Sequence, residues 1–127
     1  MSKVNASIKT NTYKTTLITE GQTFIADEPI ELGGTDLGPT PKDFLAAALA
    51  SCTAITVRMY ANRKEWPLED IIVDVSIDTE SKPGVTIFNK KIELIGDLDD
   101  KTKQRLLQIA DKCPVNKILS QPIEILK

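Results

Sequence analysis

The sequence predicts an α+β fold in which antiparallel sheets pack around two long helices. Three observations predict it. The first third is a succession of short β-rich segments separated by turn residues. A run from Pro41 to Lys64 is helical in pattern and apolar almost all the way round. A hairpin pattern and then an amphipathic helix follow it. A chain of 127 residues suits one domain, residues 1–127, and can bury a core without disulfide or metal staples.

Val4–Ile8 alternates apolar and polar residues and ends at the turn signal Thr10-Asn11-Thr12. Tyr13–Thr19 is rich in strand formers, and Glu20-Gly21-Gln22 turns the chain. Thr23–Ala26 is a third strand, stopped by Asp27-Glu28-Pro29, which completes an antiparallel meander. The stretch Glu31–Pro41 holds three glycines and two prolines and reads as an irregular loop. It could be mistaken for a phosphate cradle. However, it matches neither GxGxxG nor the Walker pattern, it carries acids, and no lysine follows in the required place, so a connector fits better.

The loop ends in a helix start: Thr40 as N-cap, Pro41 at the first helical position and Asp43 in the first turn. From Phe44 to Ile55 every residue is apolar or small. A helix of that kind is expected to be buried on every side, wrapped by other elements or by a second subunit. Charge at both ends and a short apolar run argue against a membrane span. Trp66-Pro67 ends the helix. Ile71–Asp78 and Val85–Ile95 then read as a hairpin around Lys82-Pro83-Gly84, with Lys90 and Lys91 interrupting the second strand. Asp97 or Asp99 can cap a second helix over residues 100–112. Its apolar face is Leu106, Ile109, Ala110 and Cys113. Pro114 then stops this helix or starts a new turn over Val115–Leu119, and Pro122–Leu126 reads as a closing strand.

Composition narrows the function. The 16 basic and 18 acidic residues nearly cancel, which gives no reason to expect nucleic acid or an anionic membrane as a partner. The polar N-terminus has no apolar h-region, so the expected compartment is the cytoplasm, where thiols stay reduced. The chain has no histidine, which removes Ser-His-Asp triads, Cys-His proteases and His-ligated metals; no metal and no cofactor are expected.

Two cysteines remain. Cys52 lies in the middle of the apolar helix and reads either as a space-filling core residue or as a reactive thiol. Cys113 precedes a proline suited to open a helix, so the amides of that turn would point at its sulfur. The alternative is an apolar residue completing the Leu106–Ile109–Ala110 face.

Two motifs together resemble the OsmC/Ohr family. One is Gly33–Ala61, GGTDLGPTPKDFLAAALASCTAITVRMYA, with a Gly-Pro-x-Pro approach, an Ala-rich helix and a cysteine at position 52. The other is Cys113–Leu119, CPVNKIL, which resembles the family's Cys-Pro-Val box. The resemblance implies an OsmC-like fold, an intertwined homodimer and peroxidase chemistry on a small organic hydroperoxide. By it, Cys52 would attack the peroxide, Cys113 would resolve the product as a disulfide, and an external thiol reductant would restore both. Family peroxidases support the attacking thiolate with an arginine from the N-terminal strands, held by a glutamate early in the central helix. Here no arginine precedes Arg58, and the glutamate position is Lys42, beside Asp43. Lys14, Lys42 and Arg58 are the candidate cations and Asp43 the candidate acid. Asn116 stands where many relatives carry histidine. These departures resemble the OsmC-like branch. They leave open a dimer that binds an apolar ligand without turnover, or a redox sensor.

Overall fold

The computed structural model describes residues 1–127. The chain divides into two compact units, Met1–Leu45 and Ala46–Lys127, and the boundary falls inside the long helix α1 (Pro41–Lys64).

The first unit is built on an antiparallel sheet of β1 (Asn5–Ile8), β2 (Thr15–Thr19) and β3 (Gln22–Ala26), in that order. Thr19 pairs with Gln22, so Glu20-Gly21 makes the whole connection, and Gly21 takes the positive φ (96°) that the turn needs. Leu17 faces Phe24 across the β2–β3 ladder, and the Phe24 ring packs on Phe44 at 5.5 Å. After β3 the chain runs as the irregular loop expected, apart from a single 3-10 turn at Ile30–Leu32 closed by left-handed Gly33.

A buried carboxylate organises this loop. Asp27 is only 2% exposed, yet every hydrogen-bonding position it offers is filled from its own unit. Its Oδ1 accepts from the backbone N–H groups of Tyr13 (3.2 Å), Glu28 (2.8 Å) and Thr35 (3.4 Å). Its Oδ2 accepts from the Thr35 hydroxyl (2.6 Å) and the Leu37 N–H (3.1 Å). The Thr35 hydroxyl and then these amides hold the carboxyl far below the usual carboxylate range, against the opposing effect of burial. The loop then delivers the chain to α1 through a reciprocal cap. Thr40 Oγ1 accepts from Asp43 N–H at 3.2 Å, and Asp43 Oδ2 accepts from Thr40 N–H at 3.1 Å.

The second unit packs the rest of α1 with the hairpin β4 (Leu68–Asp78) and β5 (Ile87–Gly96), then α2 (Asp100–Ala110) and α3 (Pro114–Leu119). Its core is Val57, Ala61, Leu68, Leu106 and Ala110, with Ile71, Ile92 and Leu94 of the hairpin packed against it. The strands alternate as expected, with Ile71 opposite Leu94 and Val73 opposite Ile92. Lys90 sits on this inward row. It reaches the end of α2, where its Nζ donates to the Ala110 carbonyl at 3.3 Å and pairs with Asp111 at 3.6 Å. A cation at a helix C-terminus is favourable, which accounts for a lysine that breaks the strand pattern. Asp99 rather than Asp97 caps α2, accepting from Thr102 N–H at 2.8 Å.

Two expectations are corrected. Only one helix is long: α1 has 24 residues, α2 has 11 and α3 has 6. Pro114 starts a separate short helix, as its place after Cys113 suggests, because a proline without an N–H fits the first position of a new helix. No closing strand forms at Pro122–Leu126, which finds no ladder within the chain, and Ile123, Ile125 and Leu126 are exposed. A single chain covers only part of α1. Within the chain it buries one stripe, Leu49, Thr53, Val57 and Ala61, at i+4 spacing. Its length and composition would suffice to cross a membrane, but a core helix satisfies the same criterion, and this stripe is packed inside protein.

Candidate thiol site

Cys113 is the best-defined candidate. It is fully buried, and its backbone is extended (φ −66°, ψ 143°), the conformation of an N-cap. Its sulfur accepts from the Asn116 N–H at 3.3 Å, so the thiol caps α3 in place of the usual serine or aspartate. Pro114 at the first helical position makes this register the natural one. Asn116 Nδ2 donates back to the Asp111 carbonyl at 3.2 Å, and Lys90 holds Asp111 from the strand side. The turn carrying the thiol is therefore tied at both ends.

The sulfur's other neighbour is Thr53, whose Oγ1 lies 3.7 Å away. A threonine hydroxyl has one proton, and Thr53 directs it to the Leu49 carbonyl at 2.8 Å. Its oxygen is thus free to accept the Cys113 S–H, and the thiol is satisfied in both directions: S–H to Thr53, N–H of Asn116 to S.

Cys52 immediately precedes Thr53 but points elsewhere, because one residue turns a helix by about 100°. It is half-buried. Its helix neighbours Ala48, Ile55 and Met59, at i−4, i+3 and i+7, are exposed, so Cys52 stands on the apolar face of α1 left open by its own chain. Both thiols are free.

The structure draws Cys113 to the residue beside Cys52. Arg58 donates to the Leu68 carbonyl at 2.7 Å and to Asn62 Oδ1 at 3.4 Å, tying the end of α1 to the start of β4. Asp43 serves the Thr40 cap, and Lys42 and Lys14 are exposed. Sequence reasoning passed over Thr53 and Lys90. A hydroxyl one position after a helical cysteine carries no signal of its own; the interruption of the β5 pattern by Lys90 was the only available hint. No set of three or more histidine, cysteine or acidic side chains is placed to hold a metal ion.

Two antiparallel sheets, one long apolar helix and a pair of free thiols, one on that helix and one capping the short helix α3, define a class of α+β dithiol protein. The chain belongs to the OsmC-like protein family, whose sequence profile matches residues 34–126. A Psychrobacter arcticus protein named for osmotic stress induction and a detoxification response is 27% identical and superposes with a TM-score of 0.73, covering 92% of this chain and 85% of that one. An OsmC-like protein of Mycoplasma pneumoniae, 17% identical, reaches 0.79 over 94% and 87% of the two chains. The organic hydroperoxide resistance protein OhrB of Bacillus subtilis, 22% identical, reaches 0.62 over 93% and 89%. Comparison with curated proteins gives no match.

Proposed function

We propose that this chain is a cytoplasmic, thiol-dependent peroxidase that reduces small organic hydroperoxides as a homodimer of single-domain subunits. The observation that carries the reading is the seating of the buried Cys113 thiol against Thr53, next in sequence to Cys52. In the reaction, the Cys52 thiolate attacks the distal peroxide oxygen. The O–O bond breaks, the alkoxide takes a proton and leaves as alcohol, and Cys52 becomes a sulfenic acid. Cys113 sulfur then attacks Cys52 sulfur. An S–S bond forms, the S–OH bond breaks and water leaves. Two equivalents of an external thiol reduce the disulfide to two thiols, and their own sulfurs are oxidised to a disulfide. To resolve the sulfenic acid, Cys113 must leave the cap of α3, so the short helix is the part expected to move.

Exposure supports the dimer. Ile55 and Met59 are 53% and 62% exposed in a single chain, which is unfavourable for an uncharged face of this extent. A second subunit over that face would give the half-buried Cys52 an apolar pocket suited to a fatty or aromatic hydroperoxide.

The test is addition of one equivalent of cumene hydroperoxide to the reduced protein, following free thiols and intact mass. Rapid loss of both thiols, blocked in Cys113→Ser with a sulfenic acid trapped at Cys52, supports the mechanism. Survival of both thiols refutes it. A second reading has its own observation: no arginine precedes Arg58, and the Arg58 guanidinium is occupied at Leu68 and Asn62. A dimer that binds an apolar molecule without turnover, or a slow redox sensor, fits a site without a free arginine. A disulfide that forms without steady-state consumption of peroxide identifies the sensor.

A further inference from the structure

The second unit carries a cleft that the thiols do not use. Its volume is about 440 Å³, within the range of small-molecule sites. Tyr60 and Lys64 from the last turns of α1, Trp66 just beyond it, and Lys101, Arg105 and Gln108 from α2 form its walls, and neither cysteine is among them.

The floor is fixed by the way α1 ends. Trp66 N–H bonds the Ala61 carbonyl at 2.9 Å and Glu65 N–H the Asn62 carbonyl at 3.1 Å, with Glu65 left-handed at φ 57°. This Schellman turn reverses the chain and brings the Trp66 ring to 5.7 Å from that of Tyr60. Both rings pack against the core of the unit. Arg105 is held against Tyr60: its Nε donates to the Tyr60 hydroxyl at 3.1 Å, and its Nη1 donates to Gln108 Oε1 at 3.2 Å.

The charge arrangement is unbalanced. Arg105 lies 5.4 Å and Lys64 Nζ 5.7 Å from the centre of the same Tyr60 ring. Lys101 adds a third cation, and no aspartate or glutamate lines the cleft. The chain's ion pair is Lys90 with Asp111, so none of the three has a carboxylate within pairing distance. A chain of net charge −2 thus gathers three unpaired cations around two aromatic rings. The Arg105 hydrogen bond also holds the Tyr60 phenol below its ordinary value, consistent with a field that favours negative charge.

We propose that this cleft binds an aromatic phosphate, a planar ring carrying a phosphomonoester, with the ring against Trp66 and the phosphate among Lys64, Lys101 and Arg105. Three cations match the roughly −2 charge of a phosphomonoester better than the single charge of a carboxylate. The exposed side chains of Gln104 and Gln108 supply further polar contacts at the rim.

Trp66 is the only tryptophan, so its emission reports the cleft directly. The full-length protein is titrated with phenyl phosphate, following Trp66 fluorescence and, independently, heat. The expected result is saturable binding that weakens with added salt and falls by about tenfold or more in Lys101→Gln and in Arg105→Gln. Lys101 is an exposed rim residue, so its variant keeps the test valid if loss of Arg105 disturbs Tyr60. Cys52→Ser is expected to bind as the parent does, which separates this site from the peroxidase reading. The proposal is overturned by any of three results: no saturation by either measurement, unchanged binding in Lys101→Gln, or inorganic phosphate or phenol binding as tightly as phenyl phosphate.

Discussion

Thr53 Oγ1 lies 3.7 Å from Cys113 Sγ, and the Thr53 hydroxyl proton is directed away from the sulfur, to the Leu49 carbonyl. The pair therefore holds Cys113 as a thiol that donates. Both residues are completely buried, so no water replaces the partner when one is lost. Thr53→Val, which keeps the shape and removes the oxygen, is expected to cost about 1 kcal/mol, the usual net value of a buried hydrogen bond. Thr53→Ser is expected to keep the bond and lose only the methyl contact. Urea unfolding of the three reduced proteins measures this; equal midpoints for parent and Thr53→Val would show that the contact contributes nothing.

The two thiols should differ in accessibility. Cys52 is half-buried on an open helix face, whereas Cys113 is sealed beneath α3. A bulky aromatic disulfide reagent added to the folded, reduced protein is expected to label Cys52 first. Cys113 is expected to react at the rate at which the α3 cap opens, and to react quickly in denaturant. Peptide mapping at early times decides the order, and modification of Cys113 ahead of Cys52 would overturn it.

Asp27 predicts a pH dependence of defined sign. Its folded-state carboxyl titrates below the ordinary value of 3.8, so the folded chain binds its proton less readily than the unfolded one. The stability it contributes is complete above that ordinary value and is lost as pH falls through the depressed one. Asp27→Asn removes it at every pH. Either orientation of the amide also turns its NH₂ toward N–H donors, because both carboxylate oxygens accept from the backbone. The variant is expected to be clearly less stable at neutral pH, with the gap to the parent closing in strong acid. Thermal melts across the acid range measure it; a constant gap would show that the carboxylate's charge is not what holds the loop.

The loop's glycines are required by packing. A Cβ at Gly34 would overlap the Glu28 carbonyl, and one at Gly38 the Ile25 carbonyl, although neither residue has a positive φ. Gly34→Ala and Gly38→Ala are each expected to destabilise by about 2 kcal/mol, the scale of overpacking against backbone. Gly21→Ala meets no neighbour within 4 Å and pays only for its positive φ of 96°, so it should cost about 1 kcal/mol. Denaturation midpoints rank the three.

Most of the fold was legible because local chemistry and tertiary structure agree. Thr40-Pro41 and Asp43 mark the start of α1, and the Leu106–Ile109–Ala110–Cys113 spacing gives a face that the structure buries. The sequence signals failed where they depend on a partner the pattern does not name. Pro122–Leu126 alternates like a strand, but a strand exists only with a ladder, and none is available within the chain. Of the candidate site, the capping role of Cys113 was legible from the Cys-Pro sequence. Thr53, sixty positions away from Cys113, was not, because its role arises only when α1 and α3 are packed together. The bond of Arg58 to the Leu68 carbonyl was illegible for the same reason: it depends on where β4 begins.

The open face of α1 gives the final prediction. Ile55 and Met59 are each more than half exposed in their own chain, outside the buried stripe that packs α1 into its unit. Ile55→Lys and Met59→Lys should therefore leave the far-ultraviolet circular dichroism of the chain unchanged but, in the proposed dimer, place like charges face to face across its two-fold axis. The expected outcome is a shift from dimer to monomer by light scattering, by about tenfold or more in dissociation constant for each lysine. If the proposed peroxidase reading holds, peroxide consumption should fall with it, because a partner's wall of the Cys52 pocket would be lost. A variant that stays dimeric and active would show that the apolar stripe is not the interface, and that Cys52 works from a surface its own chain leaves open.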